Sequence, residues 1–342
     1  MGASFTSTLR LPAGNAKPTS MPAGATPGFK GGKKAALKVM AASAPKLADL
    51  QERLFAAGRT GDHRRILLVL QGMDTAGKGG TIAHVTSMVS PQGLAITSFK
   101  APTLEERAHD FLWRVRRVLP GPGIVGVFDR SHYEDVLIVR VHELAPRSTW
   151  YSRYESINNF EADLAEDGVT IIKCFLHVSP DVQRERLLAR LDDPTKYWKY
   201  NPADVDERGF WGEYAAAYDD ALAKCSSDVA PWFVIPSDHK WYRNLAVSQL
   251  LLEHLEGLDL GWPRPDFDPT SEKLRLSAPH LEVPGRSARS AGRATKPGKA
   301  KKPQPLKRSA GSSRVEVNVP PGTNGRPSAA LAAKKRRRSS SI

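Results

Sequence analysis

The chain has 342 residues, enough for one large domain or two small ones, and 40 % of them are apolar, enough to fill a core. Its formal charge of +14 suggests a nucleic-acid binder, but residues 1–45 hold six Lys and Arg with no acid and residues 285–342 hold sixteen with one acid, Glu316. Residues 46–284 hold 28 basic against 35 acidic residues, so any anion site there depends on local arrangement and not on bulk charge.

Residues 1–45 are Gly, Pro, Ala and Lys without periodicity and read as a disordered basic segment. Within it, Met1 to Thr6 fits the loose myristoylation pattern, and the acid-free Ser/Ala composition is compatible with a transit peptide; neither signal is specific. From 46 to 262, short apolar runs alternate with amphipathic stretches. That alternation predicts an α/β domain with a five-stranded parallel sheet flanked by helices. The predicted strands are 65–71, 94–99, 123–128, 169–178 and 232–235. Helices are predicted over 78–89, 103–118, 149–166, 180–191, 204–224 and 240–257. Residues 263–342 begin with Pro263, Pro265 and Pro269, turn rich in Lys and Arg, and read as a disordered tail. No apolar run approaches the ~18 residues of a membrane span. Cys174 and Cys225, with no CxxC pair, fit a reducing cytoplasm better than a disulfide or zinc framework.

The first strand runs into Gly72-Met73-Asp74-Thr75-Ala76-Gly77-Lys78-Gly79-Gly80, which opens a helix. Strand, glycine-rich turn and helix N-terminus is the arrangement that cradles phosphate, with backbone N–H groups aimed at the anion. Gly72 and Gly77 permit the tight turn, and Lys78 adds a positive charge. The usual loop places Ser or Thr after the lysine as a magnesium ligand; here that place is Gly79, so metal binding must come from elsewhere, and Asp74 is the candidate.

At the end of the third strand stands Asp129, followed by Arg130, Ser131, His132, Tyr133 and Glu134. A strand-end acid opposite a phosphate loop is where such enzymes hold Mg²⁺. A metal between Asp74, Asp129 and phosphate oxygens would reverse the repulsion between carboxylates and a polyanion. Arg130 would balance charge on the transferring group. His132 has no third partner for nucleophilic chemistry and reads as packing. Further along, Arg186 and Arg190 share a helix face. After them, Pro194 to Pro202 is basic and aromatic, which suits a lid; the plainer alternative packs Tyr197 and Trp198 on the core. Lys240 and Arg243 open the last helix and could face an anion.

Taken together, the loop 72–80, Val89 to Gly93, Ser98 to Pro102, Asp129 to Glu134, Lys199 to Asp204 and Lys240 to Asn244 resemble the polyphosphate kinase 2 family, over about residues 46–262. The resemblance implies a P-loop kinase fold related to thymidylate kinase. It implies reversible phosphoryl transfer between inorganic polyphosphate and purine nucleotides, dependent on Mg²⁺ or Mn²⁺, by a homo-oligomer. Asp74 and Asp129 would bind metal and act in catalysis with Lys78 and Arg130. Gly72, Ala76, Gly77, Gly79, Gly80, Glu134, Arg186, Arg190, Lys199, Lys240 and Arg243 would bind phosphate or nucleotide. Members restricted to nucleoside diphosphates tend to carry Asn in place of Glu134 and Trp in place of His132. This chain is therefore more similar to the single-domain subgroup that accepts mono- and diphosphates. Two alternatives share these features: an ATP-dependent nucleotide kinase, and a nucleic-acid-binding protein acting through the basic C-terminal tail.

Overall fold

The computed structural model describes residues 4–11 and 17–277. Contacts divide the chain into two units, residues 1–270 and 271–342.

The centre of the first unit is a parallel sheet of β1 (Arg65–Gln71), β2 (Leu94–Ser98), β3 (Val125–Asp129), β4 (Val169–His177) and β5 (Trp232–Pro236). Its strand order is β2-β3-β1-β4-β5, so β1 lies between β3 and β4. Every residue of β1 is buried. Ile66, Leu68 and Leu70 face one core and Leu67 and Val69 face another, as expected for a parallel strand covered on both faces. The helices follow in chain order: α1 (Phe5–Leu9), α2 (Lys33–Arg59), α3 (Lys78–Thr86), α4 (Leu104–Arg107), α5 (Trp113–Arg116), α6 (Ile138–Val141), α7 (Arg147–Glu166), α8 (Pro180–Leu191), α9 (Ala203–Glu207), α10 (Trp211–Lys224), α11 (Lys240–Gly257) and α12 (Pro269–Ser277). Loops at the carboxyl ends of β1 and β3 meet beside the switch in strand order, the place where such sheets bind ligands.

Several expectations are corrected. Described residues of the 1–45 segment are not disordered. α1 is held by Glu253, whose carboxylate accepts from the backbone N–H of Phe5 and Thr6 at 2.8 Å each. Arg10 bridges Phe233 antiparallel, and the N–H of Leu11 donates to the Trp232 carbonyl at 2.8 Å. Thr19 is bound through its N–H and hydroxyl to Asp219. The folded domain expected from residue 46 already includes α2 from residue 33, a helix absent from the predicted elements, which buries Ala36, Met40, Leu47, Leu50, Leu54 and Ala57 along one face. Pro45 sits inside it; a proline in a helix interior costs about 3 kcal/mol, and packing along the helix offsets that cost.

The single helix predicted over 103–118 is two short ones. Asp110 turns the chain between them, its carboxylate accepting from the Leu112 N–H at 2.9 Å. The helix predicted over 204–224 is interrupted at Arg208–Phe210, around Gly209. In the tail read as disordered, α12 is helical, with Arg275 paired to Glu272 at 2.7 Å; residues 278–342 lie outside the described residues.

Candidate active site

The phosphate loop has the backbone of an anion cradle. Gly77, which caps α3, has φ 111°, and Thr75 has φ 61°. These left-handed residues turn successive N–H groups inward. Two arginines hold the loop from behind. Arg186 donates to the carbonyls of Thr75 (2.9 Å), Ala76 (3.1 Å), Ser237 (2.5 Å) and Asp238 (2.9 Å). Arg243, 3 % exposed, donates to the Ala76 carbonyl at 3.2 Å and to Asn244 at 2.9 Å. Burial, with Arg186 beside it, pulls the Arg243 guanidinium down to about 10. Both residues brace the loop as well as charging it, a use that helical spacing alone did not reveal.

Lys78 folds back into the loop. Its Nζ donates to the Gly72 carbonyl at 2.7 Å and lies 3.4 Å from the Met73 carbonyl. An ammonium carries three hydrogens, so donor capacity remains for phosphate. Burial and Arg130 lower its pKa, while Asp74, Asp129 and Glu134 oppose that shift. Arg130 also has a positive φ, 64°, and its Nη2 pairs with Asp74 Oδ1 at 2.8 Å. Burial works against the Arg130 charge, but Glu134, Asp74 and Asp129 outweigh it and raise its pKa. Loop and strand-end motif thus share one electrostatic cluster.

Glu134 is half-buried, and burial raises its pKa against the pull of Arg130 and Lys78. In the amide orientation that satisfies both of its ends, Gln71 donates to Glu134 Oε1 at 3.1 Å and accepts from the Ser131 N–H at 3.1 Å. Asp129 Oδ1 is buried without a hydrogen-bond partner among the described residues. A lone pair left this way, on a carboxylate that with Asp74 acts on both Lys78 and Arg130, fits a hard cation. Among the described residues no three His, Cys, Asp or Glu side chains cluster as a metal cage; Mg²⁺ is ordinarily held by one or two carboxylates with substrate phosphates.

A cavity of about 710 Å³ opens beside these groups. Asp74, Arg130 and Glu134 are among its polar lining residues, with Phe99 and Tyr218 among the aromatic ones. It is large enough for a nucleotide. Arg190 stands at the end of α8 and Lys199 in the basic, aromatic segment that follows it. Arg190 donates to the Lys199 carbonyl at 2.7 Å and pairs with Asp204, itself in the cavity lining, at 3.3 Å. Tyr197 and Trp198 are 55 % and 79 % exposed, so they do not pack on the core. Lys240 is exposed at the start of α11, yet partial burial and the nearby Arg186, Arg243 and Lys196 lower its pKa. Gly79 and Gly80 lie exposed in the first turn of α3.

Sequence reasoning missed Gln71, Glu161 and Lys173. The signal for Lys173 was a single cation inside the apolar run of β4. His132 is 1 % exposed, with Nε2 3.3 Å from Glu161 Oε1, in line with its reading as packing.

Comparison with known proteins gives one consistent result. The family model described as polyphosphate kinase 2 matches residues 32–260. An AMP/ADP-polyphosphate phosphotransferase of Meiothermus ruber is 47 % identical over 249 residues, covering 73 % of this chain and 91 % of that protein. An ADP-polyphosphate phosphotransferase of Rhodopseudomonas palustris is 46 % identical over 230 residues, 64 % of this chain and 78 % of that one. The crystal structure of polyphosphate kinase 2 from Arthrobacter aurescens superposes with a TM-score of 0.78 at 49 % identity, covering 80 % of this chain and 97 % of its own.

Proposed function

The chain belongs to the polyphosphate kinase 2 family, with the P-loop kinase fold of its solved relatives, and on that premise we propose that it transfers phosphoryl groups reversibly between inorganic polyphosphate and nucleotides, taking both AMP and ADP as acceptors. The observation that carries the proposal is the meeting of Asp74, Arg130 and Glu134 in the wall of a nucleotide-sized cavity, beside a braced phosphate loop.

A non-bridging oxygen of the acceptor's terminal phosphate bonds to the end phosphorus of polyphosphate. The bridging P–O bond to the rest of the chain breaks, and a polyphosphate one unit shorter leaves. Such transfers pass through a loose transition state and need alignment and charge neutralisation more than covalent help. The N–H groups of the 72–80 loop and the N-terminus of α3 hold phosphate oxygens. Lys78 and Arg130 stabilise charge on the transferring group. Asp74 and Asp129 would hold Mg²⁺, or Mn²⁺ in its place, which when bound neutralises charge on the phosphate oxygens. Arg186, Arg190, Lys199, Lys240 and Arg243 supply spaced cations for a chain of phosphates. Glu134, oriented by Gln71, faces the acceptor's phosphate end. The family resemblance leads to a homo-oligomer, a state light scattering reads directly, and the cysteine usage fits the cytoplasm; no helix among the described residues is long and apolar enough to cross a membrane.

Nucleotide chromatography after incubation with long-chain polyphosphate and Mg²⁺ tests the acceptor proposal. Conversion of AMP to ADP and of ADP to ATP is expected. Conversion of ADP alone would restrict the acceptor to diphosphates, and turnover of AMP only with ATP as donor would make the protein an ordinary nucleotide kinase.

A further inference from the structure

Beneath the strand-end motif lies a buried ionic cluster that neither the phosphate loop nor the cavity uses directly. Lys173 is 0 % exposed and Glu161 1 %. The Lys173 ammonium donates to Glu161 Oε2 at 2.5 Å, to Tyr133 Oη at 2.9 Å and to the Cys225 carbonyl at 2.6 Å. Tyr133 Oη in turn donates to Glu161 Oε1 at 2.9 Å, the oxygen that His132 Nε2 approaches at 3.3 Å. The ammonium also lies 5.4 Å from the Tyr133 ring centre and 5.2 Å from that of Trp232. Four elements meet at one nitrogen: β4, α7, the turn after β3, and the C-terminal end of α10.

A buried ion pair adds little stability over an apolar replacement, because desolvation offsets the attraction; what it offers is a fixed geometry. That geometry is needed here. Arg130 holds a left-handed backbone conformation, and the turn from His132 to Asp135 is a single 3₁₀ turn. On one side, Gln71 pins Ser131 and Glu134. On the other, His132 and Tyr133 are tied to Glu161 and Lys173. The Cys225 carbonyl at the end of α10 joins the same nitrogen, and α10 carries Tyr214 and Tyr218 of the cavity lining.

We infer that the buried Glu161–Lys173 pair is a positioning element for phosphoryl transfer, holding Arg130 and Glu134 in register with the α10 wall of the acceptor cavity. The inference rests on the phosphotransferase reading above. Neither residue touches substrate; each acts through Tyr133 and His132. Misplacement of a reacting group by about 1 Å is enough to cost ~100-fold in rate.

In the full-length protein, Lys173→Met combined with Glu161→Gln removes both charges and leaves no unpaired ion buried, while Gln keeps an acceptor for Tyr133. The double variant is expected to fold, with kcat for ATP formation from ADP and polyphosphate down roughly 10- to 100-fold. Its KM for polyphosphate should stay within about twofold of wild type, since the donor cations stand elsewhere. A merely structural role would lower the melting temperature and leave kcat per folded molecule unchanged; that result overturns the inference. If the double variant does not fold, Tyr133→Phe decides by the same criterion, since it deletes one hydroxyl and keeps the ring: a lowered kcat supports the inference, an unchanged one overturns it. An inactive wild type would instead refute the phosphotransferase reading.

Discussion

At Gly77 a β-carbon would stand 1.7 Å from an Arg243 nitrogen, on a backbone whose φ of 111° already disfavours side chains. Gly77→Ala must therefore displace the arginine that braces the loop, or the loop itself. It should lower stability by roughly 1–3 kcal/mol and reduce activity far more than that loss of folded protein explains, which calorimetry and initial rates on one preparation would show. Glu134 gives a pH-dependent test. Burial raises its carboxyl above the ordinary 4.5, so the folded state binds a proton more readily than the unfolded one. Between those two values stability falls as pH rises, and at neutral pH the ionised carboxylate is a net liability. Glu134→Gln should raise the melting temperature at pH 7, with the gain shrinking towards pH 4, while activity falls. A destabilised variant at pH 7 would show that Glu134 serves the fold and not the site. At this scale Asp74, Lys78, Asp129 and Arg130 could be named as candidates because each stands at a fixed place in a motif. The braces were not legible as such: spacing puts Arg186 on a helix face but says nothing of the carbonyl groups it meets.

The strands were legible as elements because a parallel strand buried on both faces is an unbroken apolar run, and β1 agrees residue for residue with its prediction. The N-terminal arm and α2 were not, because small residues, lysines and prolines give no period until a partner surface is known. That surface is α11 and β5. The arm also reaches the site: the Ala23 carbonyl accepts from the Asp238 N–H at 3.1 Å, and the Asp238 carbonyl accepts from Arg186, which holds the phosphate loop. Leu9 and Leu11 are each 4 % exposed, and burying such a side chain is worth roughly 1.5–3 kcal/mol before ordering costs. Removing residues 1–31 should therefore lower the melting temperature by several degrees and weaken phosphate binding, read by denaturation and by KM for polyphosphate. An unchanged melting temperature would mean that the arm does not hold the fold.

On the scale of the whole molecule, strand order is what brings the loop after β1 beside the end of β3, and no run of residues states that order. The charge distribution, by contrast, is plain in the sequence: an acidic middle between basic ends. Its C-terminal part lies outside the described residues, so its role is argued from composition. Sixteen cations in residues 285–342 would keep a dense polyanion near the groove and raise its effective concentration. Deleting 285–342 should raise KM for long polyphosphate and leave KM for the nucleotide unchanged; equal values in both proteins would leave the tail without this role.

If Asp129 and Lys78 stand at the centre of polyphosphate-dependent transfer, both are indispensable to it. ATP formation from ADP and long-chain polyphosphate with Mg²⁺, compared among wild type, Asp129→Asn and Lys78→Ala, tests it directly. Wild type should make ATP, and both folded variants should lose at least ~100-fold of that activity. A folded wild type that makes no ATP, or variants that make it at the wild-type rate, would contradict it.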